Sequence, residues 1–168
     1  MKRTTGILLL ATVGLLLAVG RADPQQGPQV QPGKGQPGKV IPKLMPIAET
    51  KLLMEGMAHA NFRGLERILK QKPVEAQSWT FARGQALLIA ETANLLMLRP
   101  PKNEGEPTWF ARAMDLRSAA AQLAQTVAKR DYEASRQGLV NVANQCNRCH
   151  QSFRVKVQIT AFEEKPGP

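Results

Sequence analysis

The periodicity of the apolar residues is the strongest constraint on what this chain can fold into. Between residues 43 and 162, apolar side chains recur at steps of three, four or seven, and the alternation typical of strands is absent. Four such segments joined mostly by short links predict an all-α fold, an antiparallel four-helix bundle. Their apolar faces carry Ile47, Met54, Ala58, Leu65 and Leu69; Trp79, Ala82, Ala86, Ile89, Ala93 and Leu96; Trp109, Ala113, Leu116, Ala120, Leu123 and Val127; and Leu139, Val142, Cys146, Cys149 and Phe153.

Turn-forming and capping residues mark the boundaries of the four predicted helices. Residues 71–73 (Gln-Lys-Pro) separate the first helix from the second, and the Pro- and Gly-containing residues 99–107 separate the second from the third. We predict Thr108 as the N-cap of the third helix and Asp131 as the N-cap of the fourth. Short polar side chains at these positions can accept hydrogen bonds from the free N–H groups of a first helical turn.

Residues 1–22 have the layout of a secretory signal peptide. A short basic start precedes an uncharged apolar run at residues 6–20, and small residues lead up to a cleavage point after Ala22. The run is shorter than the roughly 20 apolar residues that a spanning helix needs, so we predict cleavage rather than retention as a membrane anchor. The mature protein is therefore expected in the periplasm or otherwise outside the cytoplasm, without a membrane span.

Composition divides the remainder of the chain into a tether, a folded domain and a tail. Residues 23–42 are dense in Pro, Gly and Gln and have almost nothing to bury, which predicts a disordered tether. Residues 43–162 are enough for one domain, and residues 163–168 are expected to form a short tail.

The chain is basic, with a formal net charge of +10 that falls to +7 once Lys2, Arg3 and Arg21 leave with the signal peptide. A basic surface can steer a protein toward acidic partners or anionic lipid. Nucleic acid is not predicted as a partner, because the protein is expected to be exported and lacks an aromatic and basic motif of the kind that reads bases.

The pentapeptide Cys146-Asn147-Arg148-Cys149-His150 is the C-x-x-C-H pattern of c-type haem attachment. On a helix, positions i, i+3 and i+4 share a face, so both thiols and the imidazole point the same way. Two thiols at this separation can form thioethers with the two vinyl groups of one porphyrin, while the imidazole binds iron. We therefore predict one covalently attached haem c per chain, with His150 as the proximal iron ligand.

Three other uses of the two cysteines compete with haem attachment. A thioredoxin-type redox pair needs an α/β surrounding, whereas this pair lies late in a predicted helix. A tetrahedral zinc site needs a fourth ligand, which His59 could supply. A disulfide between residues three apart closes little chain and fits a regular helix poorly. Export and the complete pentapeptide favour haem.

The segment CNRCHQSFR at residues 146–154, placed on the last helix of a four-helix chain, resembles the cytochrome c′ family and its low-spin relatives. The resemblance covers about residues 43–154. It implies a left-handed bundle with the haem between helices near one end and His150 on a fairly exposed side. It also implies that Arg154 lies near the imidazole or a haem propionate, and that a homodimer can form through the first two helices.

The resemblance further implies that the first helix crosses the distal face of the haem. Relatives with a distal Met are six-coordinate electron carriers, whereas relatives with an apolar residue there are five-coordinate and bind small gases such as nitric oxide. Met54 lies on the predicted inner face and is the first candidate for the distal ligand, and Met57 is the second. A vacant or His59-ligated site stays open, as does simple core packing by both Met side chains.

We predict an exported monohaem cytochrome that passes single electrons between redox partner proteins, with a five-coordinate gas-binding protein as the alternative. An enzymatic role is not predicted, because the chain lacks an obvious distal acid and base pair. The aromatic side chains are expected to pack between helices or against the haem edge; they are Trp79, Phe81, Trp109 and Phe110.

Overall fold

Four helices make up the part of the chain that the computed structural model describes, residues 43–102 and 105–162. The N-terminal helix runs without a break through three pieces, which are α1 (Thr50–Leu53), a π-helical turn (Met54–His59) and α2 (Ala60–Leu69). The other helices are α3 (Ala76–Met97), α4 (Glu106–Ala128) and α5 (Tyr132–Ser152). These residues include no strand, so the all-α prediction is confirmed.

The four helices form a closed bundle. Helix α2 contacts both α3 and α5, α3 packs along α4, and α4 packs along α5. Short links at residues 70–75 and 129–131 join neighbouring helices, which is the connectivity of an antiparallel bundle. Alanine lines much of the boundary between α3 and α4, and small side chains let two helices approach closely. The predicted four-helix bundle is confirmed.

Several predicted segments lie outside the described residues. These are the signal peptide (residues 1–22), the tether (residues 23–42) and the tail (residues 163–168). Within the described residues, no helix combines the length and the apolar character that crossing a bilayer requires.

The predicted apolar stripes of α3, α4 and α5 are buried, apart from half-buried Trp109, Cys149 and Phe153. Two other residues that were predicted to pack in the interior are exposed. Ile47 precedes the first residue of α1 and is 90% exposed, so it belongs to no helical face. Phe81 is 63% exposed, because it lies two positions after buried Trp79 and residues two apart on a helix point away from each other. Both predictions were wrong, Ile47 because the helix begins later than predicted and Phe81 because it lies on the outer face of its helix.

One of the two predicted N-caps is confirmed. The Asp131 side chain accepts a hydrogen bond from the Ala134 backbone N–H at 3.0 Å and begins α5. The prediction for Thr108 was wrong, because α4 already begins at Glu106. Gly105 precedes it with φ of 88°, a left-handed conformation that glycine adopts without a Cβ clash, and Pro107 occupies the first turn, where its missing N–H costs nothing.

The C-terminal end of α5 reverses the direction of the chain. Arg154 adopts a left-handed conformation with φ of 57°, and its N–H donates to the Gln151 carbonyl at 3.3 Å. The Val155 N–H donates to the His150 carbonyl at 2.8 Å. This pair of bonds is a Schellman motif, which satisfies the last carbonyls of a helix. Residues 155–162, here named the C-terminal strap, then run back along α5 without helix or strand.

Replacing Asp131 with Ala should lower the free energy of unfolding by about 1 kcal/mol, because the first turn of α5 loses its side-chain cap. The matched control is Glu75→Ala at the N-cap of α3, where the native side chain makes no capping hydrogen bond. Urea denaturation of both variants measures the difference. Equal losses in the two variants would contradict the assigned capping role.

Candidate haem site

A cavity of about 550 Å³ opens at one end of the bundle. Its volume lies within the range of roughly 300–1,000 Å³ that is usual for cofactor sites. One long stripe of the N-terminal helix lines it, and α4, α5 and the C-terminal strap supply the other walls. Among the apolar side chains on these walls are Phe62, Leu116 and Ile159.

Helix α5 presents both cysteines and the histidine to this cavity. Cys146 is buried, whereas Cys149 and His150 are half-buried, and all three line the wall. The spacing of three and four residues produces this arrangement directly, since such positions stack on one helix face. The predicted attachment residues therefore meet a space large enough for a cofactor.

The electrostatics of the thiols disfavour a redox-active dithiol. Burial raises the pKa of the Cys146 thiol to about 12, and the neighbouring Cys149 adds to the rise. Burial also raises the pKa of Cys149, against the opposing effect of the Arg112 guanidinium. A reactive redox cysteine needs a lowered pKa and a thiolate at neutral pH. The two sulfur atoms are not joined in a disulfide.

The described part of the chain contains no set of side chains that could bind zinc. Among residues 43–102 and 105–162, no group of three or more His, Cys, Asp and Glu side chains is arranged to hold a metal ion. His59 lies on the cavity wall but is exposed, and it accepts a hydrogen bond from the Arg63 Nε at 3.3 Å. It therefore does not complete a tetrahedral set with the cysteines.

The imidazole of His150 has one specific partner. Its Nδ1 lies 2.7 Å from the backbone carbonyl oxygen of Val157 in the C-terminal strap. A carbonyl can only accept, so Nδ1 carries the proton and Nε2 keeps its lone pair. This tautomer is the one in which Nε2 can bind a metal.

The candidate distal residues do not share one position. Met54 is half-buried and lines the cavity, at the point where the π-helical turn begins. Met57 is also half-buried but packs against the hydrophobic core and is not part of the cavity wall. Single π-helical turns are rare and occur frequently at functional sites. Of the two methionines, the structure brings only Met54 to the cavity.

Two aromatic residues close the end of the cavity between α4 and the end of α5. Trp109 and Phe153 both line it, and their ring centroids lie 5.1 Å apart in an edge-to-face arrangement at 77°. The Trp109 indole N–H donates to the Leu96 carbonyl at 2.7 Å, which fixes the ring relative to α3. Trp109 thus packs between helices, as predicted, and Phe153 packs against its ring.

Arg112 is a cavity residue that the sequence reasoning missed. It lies three residues after Trp109 and four before Leu116, so the helical phase could have revealed it. Its guanidinium is held by the Asp115 carboxylate at 3.1 Å and the Ser152 hydroxyl at 3.3 Å. Arg112 thus places a half-buried guanidinium, paired with Asp115, on the wall of a largely apolar cavity.

Arg154 does not lie on the cavity wall. Its side chain is exposed, and the residue forms the left-handed turn that ends α5. The proximity of its side chain to the imidazole or a haem propionate, which the family resemblance implies, stays a prediction. The structure shows that the backbone of Arg154 ends α5.

Residues 104–154 match the family model described as cytochrome C′. This match supports the resemblance to the cytochrome c′ family over these residues. The match covers α4, α5 and the C-x-x-C-H segment, and it leaves the N-terminal helix outside. No curated protein and no solved structure matches the chain significantly. Proteins of this family carry covalently bound haem c and are typically exported to the periplasm, so the match supports haem c as the cofactor class.

The residues of the cavity fit this cofactor. Its walls are largely apolar and aromatic, as a porphyrin requires, and two thiols and an imidazole converge on it from one helix face. The half-buried guanidinium of Arg112, paired with Asp115, can donate a hydrogen bond to a carboxylate such as a haem propionate. These features agree with the family match.

Replacing Arg154 with Gly should raise the free energy of unfolding by about 0.5–1 kcal/mol, because glycine relieves the cost of the left-handed conformation. The control is Arg154→Ala, which removes the guanidinium but keeps the strained backbone and should be close to neutral. Thermal denaturation and the electronic spectrum are measured for both variants. A spectral change in Arg154→Ala would instead restore the predicted contact between this side chain and the cofactor.

Proposed function

We propose that this protein is an exported monohaem c-type cytochrome that carries single electrons and is not an enzyme. Cys146 and Cys149 would hold one haem c per chain through thioethers. His150 would be the proximal iron ligand and Met54 the distal ligand. A Met and His ligand pair raises the reduction potential and suits electron transfer.

The observation that carries this proposal is the position of Met54. Its thioether side chain comes from the N-terminal helix, while the thiols and the imidazole come from α5, and both helices line the same cavity. No other methionine is part of the cavity wall within the described residues. A ligand set on two different helix walls is the arrangement that a six-coordinate iron between helices needs.

The chain's own residues define the environment in which the haem, when bound, supplies a one-electron redox centre. Phe62, Leu116 and Ile159 exclude water from the apolar walls. The Val157 carbonyl keeps the His150 imidazole in the tautomer that can bind iron. The Arg112 guanidinium, which Asp115 holds in place, would donate a hydrogen bond to one propionate.

Basic charge supports the proposal that the redox partners are acidic proteins. The chain carries a net charge of +10 with the leader and +7 without it. Opposite charges on two partners raise their association rate, and salt weakens this attraction. Such an interaction suits a carrier that must also dissociate. Pairing of two copies through the first two helices is a further proposal. It is supported by apolar side chains that are 59%, 63% and 44% exposed on these helices, namely Leu52, Phe81 and Leu88.

Replacing Met54 with Ala should convert a low-spin spectrum into a high-spin one and allow the reduced protein to bind carbon monoxide. The control is Met57→Ala, three residues along the same helix and away from the cavity wall, which should keep the native spectrum. Electronic spectra in both oxidation states, with and without carbon monoxide, measure the effect. A wild-type protein that is already high-spin and binds carbon monoxide would favour the gas-binding function instead.

The mature wild-type protein should carry the mass of one haem per chain. The double variant Cys146→Ala and Cys149→Ala should lose all covalently bound haem, because no other cysteine is present in the sequence. Intact-mass spectrometry after denaturation measures attachment in protein made with a cytochrome c maturation pathway. A colourless wild-type protein without added mass would overturn the proposed function as a whole.

A further inference from the structure

We propose that the C-terminal strap, residues 155–162, is a proximal clamp that positions the His150 imidazole and ties the helix of the proximal ligand to the helix of the distal ligand. This inference rests on the proposed function only in so far as His150 binds the haem iron. It assigns a role to a segment outside the family match at residues 104–154.

The clamp acts on the imidazole through a backbone atom. The Val157 carbonyl accepts a hydrogen bond from His150 Nδ1 at 2.7 Å, whereas the Val157 side chain itself is 55% exposed. Such a bond fixes the ring rotation and makes the other nitrogen a better electron donor to a metal. The position of one carbonyl therefore controls both the direction and the basicity of the ligand.

Asn147 holds this carbonyl in place. Its side-chain Nδ2 donates to the Ile159 carbonyl at 2.7 Å, and its Oδ1 accepts from the Ile159 N–H at 2.8 Å. Ile159 lies two residues after Val157 in the strap, and Asn147 lies about one helical turn before His150 on α5. Ile159 is only 7% exposed and lines the cavity, so its side chain adds an apolar anchor to the two polar ones.

The far end of the strap is fastened to the N-terminal helix. The Arg63 guanidinium donates to the Thr160 carbonyl at 3.1 Å, and the Phe162 N–H donates to the Glu66 carboxylate at 2.6 Å. The Arg136 guanidinium lies 3.7 Å from the centroid of the Phe162 ring and joins this end to α5 as well. The strap thus spans from the α5 wall to α2, the continuation of the segment that carries Met54.

These contacts explain why an extended segment without helix or strand follows a fixed path. Each hydrogen bond described above joins a backbone group of the strap to a side chain on a helix. The path of the strap therefore does not depend on regular secondary structure within it. Val155, Val157 and Ile159 line the cavity, and Ile159 is buried. The strap consequently acts as both the proximal wall and the partner of the imidazole.

The decisive variant is Asn147→Ala, which removes both bonds to Ile159 without touching a proposed haem ligand. Its matched control is Asn144→Ala, one turn earlier on α5, where the side chain is exposed. Both proteins are produced full-length and haem-loaded, with ¹⁵N-labelled histidine. The chain contains only two histidines, so His59 serves as an internal reference for an exposed ring.

The measurement is the solvent exchange of the His150 Nδ1 proton in the reduced, diamagnetic protein, with carbon monoxide added if the distal site is vacant. We expect slow exchange in the wild type and in Asn144→Ala. In Asn147→Ala, exchange should be faster by about tenfold, the change that loss of one hydrogen bond produces. The reduction potential should move in Asn147→Ala and stay constant in Asn144→Ala.

Each outcome separates the clamp from the proposed function. Intact mass first shows whether haem is attached, and its absence would refute the proposed function rather than the clamp. With haem attached, a wild-type Nδ1 proton that exchanges as fast as that of His59 would overturn the clamp, even if Asn147→Ala failed to fold. Equal exchange and equal potential in the two variants would overturn it as well.

Discussion

The shared face of Cys146, Cys149 and His150 on α5 is the constraint on which the rest of the site depends. Three groups on one helix can all contact one flat cofactor only if the helix is regular and their face opens onto empty space. The other helices therefore form walls of the cavity, whereas the residues predicted to attach the cofactor all lie on α5. The N-terminal helix supplies the longest wall, α4 supplies an aromatic edge and a guanidinium, and the strap closes the remaining side. Small side chains between α3 and α4 let the bundle stay compact away from this opening.

The fold was predictable where the controlling forces are local. The apolar stripes of α3, α4 and α5 follow from a period of 3.6 residues, and Asp131 caps α5 through a side chain three residues from its partner. The start of α4 was not predictable in this way. Gly105 in a left-handed conformation, with the Phe153 ring against it, sets that start through a contact with the far end of the chain. Thr108 looked like a better cap only because sequence alone does not contain that contact.

In the candidate site, too, the features set by local helix geometry were predictable and those set by distant contacts were not. The thiols, the imidazole and the inner position of Met54 were predictable from spacing on a helix. The C-terminal strap was not, because its main contact with the site is the Val157 carbonyl, a group that every residue carries. The left-handed backbone of Arg154 was not predictable either, because nothing in the sequence marks a non-glycine residue for that conformation. The contact of its side chain with the imidazole or a propionate stays a prediction.

The π-helical turn at Met54–His59 affects which side chain this helix presents to the cavity. Such a turn arises when one extra residue is accommodated in an α-helix without breaking it. One residue corresponds to about 100° of rotation, so everything before the turn is rotated by that angle relative to a helix without the insertion. Without the extra residue, the segment before the turn would aim a different side chain at the cavity. The residue that this helix presents to the cavity can therefore change through a single insertion or deletion, with no substitution at the wall itself.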